Sequence, residues 1–339
     1  MRPVLRTADF RRVEALPRRT LREAVEASRY IEQELKTSTG SMKLRPIQSA
    51  ALHEARQNNG LLGCIGVGHG KTIISLLAAS AIECERPLLL VPAALKEITK
   101  NDRIPALSNH WKIHKNLRVE SYNALSTDRE LLENMKPDLI ISDECHKLSK
   151  VQSARTKRFL RYIDANDSAR FVGLSGTVSR KSLKDFWHLL LAALKYEAPI
   201  PIKWNEMNDW AMALDYDVRD HDRHSVGALK RFCDIEETEI QHYSREDQLS
   251  VCRDGYRERL TKTAGLVATS DEGVSCSLVI QKKKTDRYAG HIDQALVNLR
   301  HLWLTPSAEE VTDPLDFWRK AREISMGFYY EWKWDEGQA

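Results

Sequence analysis

Gly66-Val67-Gly68-His69-Gly70-Lys71-Thr72 stands between an apolar run, Leu61 to Ile65, and an apolar stretch beginning at Thr72. Glycines let a backbone curl until successive N–H groups face inward, and a following helix adds the partial positive charge of its N-terminus, which together suit a phosphate chain. Lys71 would then reach the β and γ phosphates, and the Thr72 hydroxyl would ligate Mg²⁺. The strict pattern asks for glycine five residues before Gly70, where this chain has Ile65; alone, the segment is also compatible with a simple strand-to-helix turn. About seventy residues on, the apolar run Leu139-Ile140-Ile141 ends in Ser142-Asp143-Glu144-Cys145-His146. Adjacent acids can divide labour, Asp143 holding the metal through its water shell and Glu144 orienting or deprotonating an attacking water. Ser175-Gly176-Thr177 closes a third apolar run with hydroxyls that could bond His146 or the acids, and Gln48 carries an amide that can both donate to and accept from an adenine edge. An ordered set of this kind is harder to dismiss than any one member, since an acidic pair or a Ser-Gly-Thr turn by itself is commonly a solvated bend.

These groups need a frame that brings them together. Leu61 to Ile65, Pro87 to Val91, Leu117 to Glu120, Leu139 to Ile141 and Phe171 to Leu174 read as strands. Thr72 to Ile82, the segment after Ala94, Ala154 to Ile163 and Ser182 to Leu194 read as helices between them. Apolar strands alternating with helices predict a doubly wound α/β domain, a parallel sheet covered on both faces with its ligands at the carboxyl ends of the strands. In the first forty residues Leu21, Ala24, Val25, Ser28, Ile31 and Leu35 fall on one side of a helix, predicting a helical N-terminal extension that ends at the polar linker Thr37 to Ser41. After Pro199 the alternation is lost. Met212 to Lys262 reads as helical or loop-rich, Val274 to Gln281 as a strand and Ala289 to Trp303 as a helix. The expected organisation is a helical extension over 1–40, an ATP-binding domain over 41–200, a helical accessory insertion over 201–270 and the start of an incomplete second domain over 271–339.

In this order and spacing, Leu44 to Gln48, Gly68 to Thr72, Leu90 to Leu95, Asp143-Glu144-Cys145-His146 and Ser175-Gly176-Thr177 resemble the Q-motif and motifs I, Ia, II and III of superfamily-two helicases. The DECH box is a variant of the DEAD/DEAH box, and the style is similar to phage-encoded and Swi/Snf-like DNA translocases. The resemblance covers about Leu44 to Leu194 and implies the RecA-like, P-loop ATPase half of such an enzyme, using ATP and Mg²⁺. By it, Gln48 would recognise adenine, Gly68, His69, Gly70, Lys71 and Thr72 would hold the nucleotide, and Thr72 and Asp143 the metal. Lys71, Asp143, Glu144 and His146 would carry catalysis, Ser175 and Thr177 would couple hydrolysis to movement, and Pro92 and Ala93 would touch the nucleic-acid backbone. Arg155, Arg158 and Arg161, then Arg180, Lys181 and Lys184, then Lys282 to Lys284, supply basic clusters suited to phosphates rather than bases. Members of this family set ATP between two RecA-like domains, the second supplying an arginine finger usually found in a Gln-x-x-Gly-Arg-x-x-Arg segment, and no such segment follows residue 200. The expectation is either a truncated or split N-terminal half, weak alone, or a single-domain protein that borrows a second RecA-like domain from another chain; the aromatic run Phe328 to Trp334, a missing partner surface, favours the first.

Composition narrows the classes without choosing among them. The 339 residues are 42% hydrophobic and 29% charged, a globular composition. Apolar runs such as Leu189 to Leu194 fall far short of the roughly 18 to 20 residues of a membrane-spanning helix. A net charge of +4, from 52 basic and 48 acidic residues, is too small to imply a nucleic-acid partner by itself. Six cysteines without a two-residue spacing suggest neither zinc site nor disulfide framework, and with no secretory pattern at the start the expected setting is a bacterial or phage-infected cytoplasm. The leading expectation is a nucleic-acid-stimulated ATP hydrolase, DNA favoured over RNA as partner. A nucleotide-gated, non-catalytic DNA-binding subunit and a P-loop kinase remain as alternatives. Binding without hydrolysis would mark the first, and a phosphorylated acceptor the second.

Overall fold

Side chains alternate between the two sides of a strand, and here both sides are apolar, so the strands can only be satisfied inside a sheet covered on both faces. The computed structural model, which describes residues 2–176, 182–269, 290–311 and 313–328, has that sheet. Its six strands are β1 (Leu61–Cys64), β2 (Pro87–Val91), β3 (Arg118–Ser121), β4 (Leu139–Asp143), β5 (Arg170–Ser175) and β6 (Leu266–Ala268). They run in the order β3-β2-β4-β5-β1-β6, every pair parallel. The fold is an α/β, RecA-like doubly wound sheet. Leu88, Leu90, Ile140 and Phe171 enter a core shared with Phe159 and Leu189 on one face. Leu89, Val91, Ile141, Val172 and Leu174 enter a second core with Ile74 and Leu77 on the other.

Five strands coincide with the apolar runs. The sixth, three residues long, has no run to announce it: β6 is recruited because β1 would otherwise be an edge, and it pairs in register Leu62 with Leu266 and Cys64 with Ala268. The helix Lys71–Ala81 matches the expected segment, as do Ala154–Ala165 and Gly290–Leu302. The expected helix after Ala94 is instead a broken run with a π turn at Thr99–Arg103, and the N-terminal pattern is split into Ala8–Ala15, Leu21–Ala27 and Ile31–Leu35. Phe10 of the first of these stacks on Phe232 at 4.9 Å and meets Trp210 edge-on at 5.4 Å, in a third core with Val13, Leu229 and Tyr256.

Residues 1–273 form one compact unit and residues 274–339 another. In the second, Gly290–Leu302 packs on Pro314–Ser325 around Leu299, Val311 and Ile324. The expected strand Val274 to Gln281, the Lys282 to Lys284 cluster and the aromatic run beyond Phe328 lie outside the described residues. Among the described residues no helix is long and apolar enough to cross a membrane.

Candidate active site

An all-parallel sheet puts the carboxyl ends of its strands on one edge, and register decides what meets there. Cys64 is level with Ser175, and Asp143 with Leu174. The glycine loop after β1, the acids after β4 and the Ser-Gly turn after β5 therefore converge, with β5 the strand between the other two.

The loop's shape follows from its glycines. Gly68 (φ +84°) and Gly70 (φ +77°) sit in the left-handed region that side chains resist, and Gly70 caps the helix carrying Lys71 and Thr72. A Cβ on Gly70 would lie 2.2 Å from the Gln48 amide nitrogen. Gly70→Ala is therefore expected to lower the thermal unfolding temperature, the left-handed backbone alone costing about 1–2 kcal/mol. Two side chains grip the loop from outside: the Gln48 amide donates to the His69 carbonyl at 2.9 Å, and the Arg45 guanidinium donates to the Gly68 carbonyl at 2.5 Å. Gln48 is only 2% exposed, and its carbonyl oxygen accepts the Arg45 backbone N–H at 2.8 Å. In the structure this amide secures the start of the helix Pro46–Gln57 and the glycine loop together.

Lys71, 9% exposed, folds back on the loop. Its ammonium donates to the carbonyls of Ile65 (3.1 Å) and Gly66 (3.4 Å) and lies 3.8 Å from a Glu144 carboxylate oxygen. Glu144 reaches it because its own backbone is left-handed (φ +61°), a turn rarely adopted by a residue with a long side chain, placed immediately after β4. The other Glu144 oxygen is 3.2 Å from His146 Nδ1, which is 3.0 Å from the Ser175 hydroxyl. Lys71, Glu144, His146 and Ser175 thus form one polar chain across three loops. Thr72 sits half-buried in the first turn of the helix Lys71–Ala81.

Asp143 is 5% exposed. Burial, reinforced by the Glu144 charge and opposed by Lys71 and Arg103, pushes its carboxyl up to about 6. A folded state that keeps this proton up to pH 6, while the unfolded chain loses it near 3.8, is destabilised as pH rises through that window. Asp143→Asn is expected to stabilise the metal-free protein at pH 8 by up to about 3 kcal/mol and to give no gain at pH 4, read as thermal unfolding at the two pH values. Behind the acids, the buried Tyr122 hydroxyl donates to the Asp143 carbonyl at 2.8 Å and lies 2.5 Å from the Ser142 hydroxyl. No group of three or more His, Cys, Asp or Glu side chains able to hold a metal occurs among the described residues. One carboxylate, one hydroxyl and substrate phosphates are a donor set that suits Mg²⁺, which keeps several of its waters.

Other expected residues are placed differently. Pro92 and Ala93 follow β2 at the same sheet edge, Ala93 exposed. Arg155 is half-buried, while Arg158 donates to the carbonyls of Leu125 (2.8 Å) and Asp128 (3.1 Å) and so ties the helix Ala154–Ala165 to its neighbour. Thr177, Arg180 and Lys181 lie outside the described residues. Arg45, Arg103 and Thr269 belong to the surroundings of the site and were not legible as such: Thr269 accepts the Gly66 N–H at 3.0 Å from 203 residues away. A basic residue just ahead of Gln48 was the one available hint, for Arg45.

Residues 41–180 match the family described as type III restriction enzyme, res subunit. Among solved structures, the Sulfolobus solfataricus SWI2/SNF2 ATPase core in complex with dsDNA aligns at TM-score 0.43 and 14% identity, over 86% of this chain and 60% of that one. The chain thus spans about three-fifths of that protein's length. No curated protein matches it. The family match falls on the segment bearing the loop, the acids and the Ser-Gly turn, and residues 41–180 are similar there to the RecA-like half of a superfamily-two, helicase-type ATPase.

Proposed function

We propose that the chain hydrolyses ATP to ADP and phosphate as the motor half of a DNA helicase or translocase of the phage-type or Swi/Snf-like kind, acting in the cytoplasm. The observation that carries this reading is the 3.8 Å approach of Lys71 to Glu144 at the end of β4, beside the buried Asp143. The backbone N–H groups of Gly68 to Thr72 and the Lys71 ammonium bind the β and γ phosphates. Mg²⁺, when bound, neutralises the charge that develops on the phosphates, and Thr72 and Asp143 are the residues that would hold it. Glu144 takes a proton from the water that attacks the γ phosphorus, and the bond to the β-phosphate oxygen breaks as ADP leaves. His146 and Ser175, hydrogen-bonded to each other and to Glu144, pass the change to the Ser-Gly-Thr turn. Adenine falls to Gln48, whose remaining N–H and lone pair match an adenine edge once the loop opens around it. Pro92, Ala93, Arg155 and Lys181 supply the nucleic-acid track, and a second RecA-like domain would complete the ATP site.

Phosphate release by the purified chain, measured with and without duplex DNA, tests the proposal. Hydrolysis that rises with DNA supports it. ATP binding with no hydrolysis under either condition favours a nucleotide-gated DNA-binding subunit instead, and transfer to an acceptor other than water favours a kinase.

A further inference from the structure

The Ile65–Gly66 peptide is held at both ends. Its carbonyl accepts from the Lys71 ammonium at 3.1 Å, and its N–H donates to the Thr269 hydroxyl at 3.0 Å. Thr269 is fixed in place by the sheet: β6 pairs with β1, and the Thr269 N–H continues that ladder to the Cys64 carbonyl at 3.1 Å, one residue beyond the strand. Space around Gly66 is closed by the same side chain, since a Cβ there would lie 3.3 Å from the Thr269 hydroxyl and 3.5 Å from the His69 ring. Residues 41–180 contain the loop but not this support, which arrives from outside the matched segment.

We infer that Thr269 is a positioning residue for the phosphate loop, setting the place of the Lys71 ammonium through the Ile65–Gly66 peptide. A peptide that accepts at one end and donates at the other is polarised by both bonds, so the carbonyl facing Lys71 is a better acceptor while Thr269 is present. A loop peptide free to rotate about its flanking bonds presents Lys71 at a range of positions, and only some of them suit a phosphate chain. The inference rests on the ATPase reading above.

The test replaces the hydroxyl without changing shape. Thr269→Val keeps a β-branched side chain in the extended ladder and removes the acceptor, while Thr269→Ser keeps the acceptor. In the full chain, the expected result is a rise of about 3- to 10-fold in KM for ATP and in Kd for a fluorescent ATP analogue in the valine variant, the worth of one peptide hydrogen bond, with kcat near that of the parent. The serine variant should restore both constants. Overall loss of folded protein would lower kcat and the unfolding temperature with KM unchanged, and that pattern overturns the inference. So does a valine variant with unaltered KM and Kd, or a serine variant as weak as the valine. Failure of the ATPase reading is separable, because it shows in the unsubstituted chain as absence of phosphate release, with or without nucleotide binding.

Discussion

Replacing Lys71 by alanine is expected to lower ATP turnover about 10²–10³-fold, the effect of removing one preorganised charge from a site where negative charge develops. The same change should weaken binding of MgATP, measured by titration calorimetry. The Lys71 ammonium lies 3.8 Å from Glu144 and opposes the rise in the Asp143 proton affinity. Its removal therefore takes away the phosphate ligand and also leaves two carboxylates less compensated, so the Asp143 proton should be held to higher pH. Weaker binding of Mg²⁺ follows, because the metal must displace that proton. Retention of parental ATP affinity in Lys71→Ala would remove the phosphate-loop assignment.

A second large effect is expected at Glu144. Glu144→Gln keeps the shape and the left-handed turn but cannot accept a proton from water, and kcat should fall about 10²–10⁴-fold, the usual contribution of a positioned general base. ATP binding should persist, since the phosphate ligands in the loop remain. Single-turnover hydrolysis and nucleotide titration on the same preparation separate the two steps. A variant hydrolysing at the parental rate would assign the water to another group.

Much of the frame was readable because it rests on local pattern. β1, β2, β4 and β5 are apolar on both faces, and the loop, the acids and the Ser-Gly turn each follow one of them directly. What escaped depends on long-range pairing or on backbone conformation. β6 has three residues and exists because β1 offers it an edge, and Thr269 reaches Gly66 only through that pairing. The left-handed Glu144, which turns its carboxylate toward Lys71, has no residue signature. Charge runs do not announce their local ties either: Arg158 reads as a phosphate contact in the sequence, and in the structure its Nη1 also donates to the Leu125 and Asp128 carbonyls. Phe10 shows the same dependence, since its partners Trp210 and Phe232 lie two hundred residues on.

The most direct measurement is a crystal structure of the chain with Mg²⁺ and a non-hydrolysable ATP analogue. The account predicts the γ phosphate against the Lys71 ammonium, the metal between the Thr72 hydroxyl and the Asp143 side, and a water beside Glu144. An analogue bound elsewhere, with no phosphate at the Lys71 ammonium and no metal near Asp143, would contradict it.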